Sequence, residues 1–302
     1  MFRSTLLRTL TLDPLDHPLG HVHLGAASAL VRVGRHLYVV ADDELHLGLF
    51  TLGDPGPGRL LRLFEGDLPI EKAARKAVKP DLEVLALLPA MAGCPEGALL
   101  ALGSGSTPER QRGVLLGLAE GARPRQVDLA PLYQPLRRHF ADLNIEGGFL
   151  LGDEFLLLQR GNQGWAANAA VRYPWAELRD WLNGAGSVPA PRAIQPLDLG
   201  ELAGVALGFT DGAALADGRW LFSAVAENTA DSYNDGACLG AVIGLVGHDG
   251  RVRRLAELDG RWKVEGIALD EAGDDLLLVT DADDPATAAS LLRLSLSGLL
   301  GQ

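Results

Sequence analysis

Four acidic residues open short apolar runs at comparable points along a 302-residue chain: Glu83 in DLEVLALLP, Glu146 in NIEGGFLL, Asp211 in FTDGAAL and Glu265 in KVEGIALD. Carboxylates gathered in one place repel one another and burial raises their pKa values further, so such a set needs a compensating charge or a task. A hard cation is one answer, because Ca2+ takes six to eight oxygens from carboxylates, amides and water. Glu83, Asp211, Asn144 and Asp281 are its expected ligands. A phosphate or sugar is a second answer, held by Lys79, Lys263 and Arg160 with Glu227, Ser104, Asn162 and Asn228 completing a polar collar. The two combine in a metal-assisted hydrolase of a small phosphate ester, ester or lactone. There the cation polarises the reacting oxygen and Glu146 or Glu265 acts as base on a water. The competing reading is structural, with the acids capping strand starts and pairing with lysines. The collar holds no histidine or cysteine, so zinc is not expected there.

Residue spacing indicates what must position these groups. Lys79, Asp81 and Glu83 have like parity, as do Asn144 and Glu146, and Lys263 and Glu265, so each set occupies one side of an extended strand. After each acid comes an apolar strand, a polar turn and a second, more hydrophobic strand. An acid-free copy, AASALVRVGRHLYVVADD, starts at Ser28, making five units. Ser28 to Leu37 and Glu146 to Phe155 are 9 apart, Asp211 to Phe222 and Glu265 to Leu276 are 11 apart, and hairpin parity is kept. The Glu83 copy departs, with 16 residues to Leu99. Asp42, Ser104, Arg160, Glu227 and Asp281 mark one polar position at the ends of the second strands.

Third strands follow each pair, and outer strands fit GRLLRLFEG, RPRQVDLAP, RAIQPLDLG and RVRRLAELDG. The last copy lacks an outer strand, and the N-terminal STLLRTLTL can supply it. A repeat of roughly 40 to 50 residues with four strands predicts an all-β fold: a single β-propeller domain over residues 1–302. Five four-stranded blades are expected, at residues 24–67, 80–129, 144–199, 205–259, and 262–298 with 4–12. A six-bladed ring is the alternative, because residues 173–201 are irregular enough to hide further strands. Helical insertions are expected at 69–79, 130–140 and 173–183. In a propeller the inner-strand starts and the loops after the second strands share one face, so the acids should converge on the mouth of the central channel.

Composition narrows the classes. With 37 Gly, 17 Pro and only 2 Met, the chain favours turns over long helices. A formal charge of -12 argues against nucleic acid, whose backbone requires clustered cations. Cys94 and Cys238 give neither a metal spacing nor a disulfide framework, no apolar run approaches the ~20 residues of a membrane span, and the N-terminus makes a poor signal peptide. A cytoplasmic protein is expected, a monomer or weak dimer with a small-molecule ligand and no membrane partner. His17, His21 and His23 show no partner at metal spacing and read as surface or packing residues. There is no nucleophile elbow, P-loop or H-E-x-x-H. GSGST at 103–107 reads as a loop rather than a phosphate cradle, since no helix N-terminus follows it.

VEGIALDEAGDDLLLVTDADD and NIEGGFLLGDEFLLLQRGNQG resemble the strand pair of bacterial propellers in the SdiA-regulated and esterase-like phytase groups, whose inner strands carry Glu-Gly-(Ile/Leu)-Ala. KPDLEVLALLP is similar to an uncharacterised bacterial propeller family with the same pattern. The resemblance implies calcium in or near the channel and hydrolysis of phosphate esters, esters or lactones. Glu146 and Glu265 match its Glu-Gly motif, whereas Val84 replaces the glycine after Glu83, and Asp211 replaces the glutamate before Gly212. Fold alone does not transmit activity, so a non-catalytic propeller binding a small ligand or a protein remains the alternative. A WD-repeat scaffold ranks last because its Gly-His and Trp-Asp signatures are missing.

Overall fold

The computed structural model describes residues 1–162, 167–228 and 236–300. Five antiparallel sheets form a five-bladed β-propeller, with blades 1 to 4 running outward in chain order from the inner strand and blade 5 closed by the N-terminal strand. Blade 1 comprises Ala27–Val33, His36–Ala41, His46–Thr51 and Arg59–Arg62. Blade 2 comprises Leu82–Leu88, Ala98–Gly103, Arg112–Gly117 and Arg125–Asp128. Blade 3 has Ile145–Leu151, Glu154–Gln159, Ala169–Pro174 and Ala193–Pro196. Blade 4 has Val205–Ala214, Trp220–Glu227, Cys238–Val246 and Val252–Glu257, with a two-residue strand, Glu201–Leu202, folded back on its inner strand. Blade 5 has Val264–Leu269, Asp275–Thr280 and Ser290–Ser295, and Ser4–Thr9 pairs antiparallel with the last of these as the outermost strand. The inner strands pack side by side in a closed ring, and the first joins the last. Joining the two chain ends in one blade leaves the ring no seam at which strand edges stay open.

The apolar runs follow from this arrangement. A blade is covered on both faces by its neighbours, so its middle strands are hydrophobic throughout rather than alternating. In Glu154–Gln159, Phe155 and Leu157 join the core shared with blade 2, while Leu156 and Leu158 join the core shared with blade 4. In Asp275–Thr280, Leu276 and Leu278 face blade 4, and Leu277 and Val279 face blade 1. Phe209 and Phe222 meet edge-on at 5.2 Å between ring centres, beside Trp220 and Phe149, and fill the wedge between blades 3 and 4.

Helices cover the connections. Lys72–Val78 follows blade 1, with the Glu71 carboxylate accepting from the amides of Ala73 and Ala74 as its N-cap. Ala130–Tyr133 and the 3-10 turn Leu136–Arg138, separated by Pro135, lead from blade 2 to blade 3. Trp175–Leu182 sits between the two outer strands of blade 3 and buries Leu178 and Leu182. No helix among the described residues is long and apolar enough to cross a membrane.

Candidate functional site at the channel mouth

Every inner strand slips register once against its neighbour. The slips fall between Ala27 and Ala29, Leu82 and Val84, Ile145 and Gly147, Phe209 and Asp211, and Val264 and Gly266. The residues left unpaired are Ser28, Glu83, Glu146, Thr210 and Glu265. A β-bulge of this kind bends the strand and re-aims one side chain. The propeller repeats it once per blade, and four of the five positions, Thr210 excepted, present their residues to the cavity at the channel mouth.

Asp211 does not occupy the equivalent position in blade 4; Thr210 does. The hairpin loop there runs from Leu215 to Arg219, an odd number of residues, whereas the tight turn of blade 3 holds only Gly152 and Asp153. With an odd loop the bulge stands an even number of residues before Phe222, as Glu83 does before Leu99 across the odd loop of blade 2, so the odd spacing of 11 belongs to Asp211, one place past the bulge. Asp211 is buried away from the mouth cavity, and its carboxylate accepts the amides of Gly212 at 2.7 Å and of Ile267 in blade 5 at 2.9 Å. Its expected place among the metal ligands at the mouth is therefore corrected: it ties two inner strands together. Burial pushes its pKa well above the ordinary carboxylate range, even though both amides pull it down. Thr210 also works between blades, donating to the Val264 carbonyl at 2.8 Å.

The glycine of the Glu-Gly motif has a steric reason. A Cβ on Gly147 would stand 2.9 Å from the Asp211 Cα, and one on Gly266 would stand 2.7 Å from the Ala29 Cα. Beside these two bulges the inner strands of adjacent blades touch backbone to backbone, an approach that a Cβ would block.

A cavity of about 150 Å³ occupies the mouth, with acids outnumbering bases ten to seven in its lining. Glu83, Glu146, Glu265, Lys79, Lys263, Arg160, Asn144, Asn162, Glu227 and Asp281 all line it. Ser104 lies behind it, its hydroxyl donating to Asp81 Oδ2 at 2.5 Å. Asn228 is exposed and outside it. The expectations missed Arg110, which donates to Asp81 at 2.9 Å from a short 3-10 turn and had no spacing signal to betray it.

Each inward cation is already engaged. Lys79 contacts Asp42 and lies 2.9 Å from Asp81. Arg160 spans Glu146 at 3.3 Å and Glu227. Lys263 stands among Asp283 at 2.6 Å, Glu265 at 3.4 Å, Asp281 at 3.6 Å and Glu227 at 4.0 Å. Burial costs both lysines part of their basicity, but the carboxylates around them prevail and raise their pKa values, so both stay charged.

The acids divide into two kinds. Glu146 is held, accepting from Asn144 Nδ2 at 2.5 Å and from Arg160. Glu83 accepts no hydrogen bond among the described residues. Burial and the nearby Glu146, Asp81 and Asp42 drive its pKa well above the usual range. Glu265 has one oxygen near Lys263, while Oε2 is buried with no hydrogen-bond partner among the described residues. Its pKa is pushed up to about 7, chiefly by burial, with Lys263 and Arg160 opposing. Of the four residues expected to hold calcium, Glu83 alone joins a carboxylate cluster among the described residues, and its partners there, Asp42 and Asp81, were not expected: oxygens of the three lie within 4.8 Å of one another. They suit a hard cation in type, but the Lys79 ammonium stands against two of the three.

Residues 23–296 match the model of a family of unknown function, DUF6929. The chain belongs to that family. No curated protein matches this DUF6929 member. Among solved structures, it is similar to a putative glycoside hydrolase from Parabacteroides distasonis at 11% identity and a TM-score of 0.53, covering 96% of this chain and 92% of that one. U3-55K matches at 10% identity and a TM-score of 0.46, over 97% and 98% of the two chains. A protein of unknown function from Bacteroides thetaiotaomicron matches at 11% identity and a TM-score of 0.48, with 92% of this chain covered but 58% of that one. At these identities the likeness shows the fold alone.

Proposed function

We propose that the channel mouth binds a small, uncharged polar molecule through carboxyl groups whose pKa values are raised toward neutrality, and that its chemistry is hydrolysis of an ester or lactone. The observation that carries this reading is Glu265 Oε2, a buried carboxyl oxygen of a mouth residue with no hydrogen-bond partner among the described residues. Such an oxygen costs stability unless something else bonds to it, and a ligand hydroxyl or a water is the natural donor. With its pKa near 7, Glu265 suits a general base that takes a proton from an attacking water at neutral pH. An anionic phosphate ester fits less well, because Lys79, Lys263 and Arg160 are each engaged by two or more carboxylates.

The test is a screen of neutral lactones and carboxylic esters beside phosphate monoesters, using wild type, Glu265→Gln and Glu146→Gln. We expect turnover of the neutral class, a pH profile that reports a base near 7, and loss of activity in Glu265→Gln with a thermal midpoint no lower than that of wild type. Absence of binding and turnover across the neutral class would overturn the reading, as would full activity in Glu265→Gln.

Calcium is the second reading, favoured by the convergence of Asp42, Asp81 and Glu83. The built-in ammonium of Lys79 substitutes for the ion, so Lys79→Met should raise calcium affinity in calorimetry on chelator-stripped protein. Equal, saturable binding by wild type and variant would place calcium elsewhere.

A further inference from the structure

Blade 1 gathers three imidazoles on one carboxylate beside the mouth, in a second cavity that shares Gly25, Asp43, Lys72, Arg75 and Pro285 with the first. Glu44 lies in the turn before the third strand and His46 opens that strand, while His17 and His21 come from the N-terminal loop. His17 Nε2 is 3.0 Å from Glu44 Oε1, His21 Nδ1 is 3.6 Å from the same oxygen, and His46 Nδ1 is 3.4 Å from Oε2. His17, Glu44 and His46 are buried, with donor atoms all within 4.8 Å of one another. His21 is half exposed and stacks on His17, ring centres 4.2 Å apart. The expectation that His17 has no partner at metal spacing fails because its partners, Glu44 and His46, are brought to it by the fold rather than by the sequence.

One carboxylate does not need three imidazole donors. Separations of 3.4 and 3.6 Å are long for hydrogen bonds. They match two ligands on one ion, since donors about 2.0–2.1 Å from a tetrahedral centre stand roughly 3.3–3.4 Å apart. Two histidines and a carboxylate with an open fourth position is a recurring zinc set. Here the open side faces a cavity of about 470 Å³, into which His21 also projects.

We propose that His17, Glu44 and His46 form a zinc-binding site, with His21 completing the coordination from the cavity side. His17 Nδ1 accepts the Leu19 amide at 3.0 Å, so in the metal-free chain its proton sits on Nε2 and is donated to Glu44. Zinc takes that place at Nε2. The ring proton moves to Nδ1, His17 remains a neutral ligand, and the Leu19 amide loses its acceptor. Two hydrogen bonds, to Glu44 and from the Leu19 amide, are exchanged for a metal–nitrogen bond.

The test uses the full chain stripped with chelator, Zn2+ in calorimetry and Co2+ as a visible probe. We expect saturable binding of one equivalent, tetrahedral Co2+ bands without thiolate charge transfer, and faster exchange of the Leu19 amide when zinc is bound. Glu44→Gln and His46→Gln should abolish binding, with metal-free melting confirming that each is folded. His21→Ala, a change at a half-exposed residue, should weaken it by about 10-fold. His23→Ala should leave it unchanged, as should Glu83→Gln and Glu265→Gln, which separate this site from the channel mouth. Absence of saturable zinc binding by folded wild type would overturn the proposal. So would binding that survives His46→Gln and Glu44→Gln, or that disappears in Glu83→Gln.

Discussion

The inner strands of blades 3 and 5 carry Glu-Gly at the bulge, whereas blade 4 carries Thr-Asp-Gly with the acid one residue late. Glu146 and Glu265 reach the mouth as a result, while Asp211, equally buried, bonds backbone amides between two blades. The contrast teaches that position relative to the bulge, more than residue type, decides whether an acid is available for chemistry. An acid displaced by one place becomes a fastener.

The comparison breaks most sharply at Arg160. Replacing it with methionine leaves Glu146 and Glu227 buried without their shared cation, and removing one partner of such a network typically costs about 3–5 kcal/mol. Chemical denaturation should show that loss, and Glu146→Gln in the same background should recover part of it. Asp211→Ala is expected to cost about 2–4 kcal/mol, because it strands the amides of Gly212 and Ile267. A loss of only a few tenths would mean that water replaces the carboxylate and the fastener role is wrong. Gly266→Ala places a methyl group 2.7 Å from the Ala29 Cα, where the obstacle is backbone, and overpacking of this kind costs about 1–3 kcal/mol. Gly152→Ala in the blade 3 turn serves as the contrast: nothing lies near its Cβ, so any cost there comes from its positive φ alone.

Five blades and their closure by the N-terminal strand were legible because burial on both faces leaves a simple trace, an apolar run bounded by polar turns. Phe155 to Leu158 is such a run, and its residues divide between two cores. The ring of acids was legible at Glu83, Glu146 and Glu265 because their parity with Lys79, Asn144 and Lys263 survives a bulge placed the same way in each strand. In blade 4 the five-residue hairpin loop sets the bulge at Thr210, one place before the acid, and the length of that loop leaves no mark on the apolar pattern. The long turn of blade 2 has its own small bridge, Met91 to Cys94, which explains the wide spacing from Glu83 to Leu99. Arg110 and the histidine cluster lay beyond pattern reading, since their partners come from different loops and only the closed ring brings them together.

The subtlest difference between the held acid and the unpartnered one should appear in pH dependence. Glu265 has an ordinary pKa of 4.5 in the unfolded chain and about 7 in the folded protein. Between those values the native state binds the extra proton, so stability falls as pH rises, by up to about 1.4 kcal/mol per pH unit. Below 4.5 the group contributes no penalty, and above 7 the full penalty is present. Glu265→Gln removes the titration, so denaturation curves of wild type and variant should diverge from about pH 4.5 to 7, with the variant the more stable at the upper end. Parallel curves would mean that Lys263 holds Glu265 ionised throughout, and the proton-carrying carboxyl at the mouth would have to be sought at Glu83.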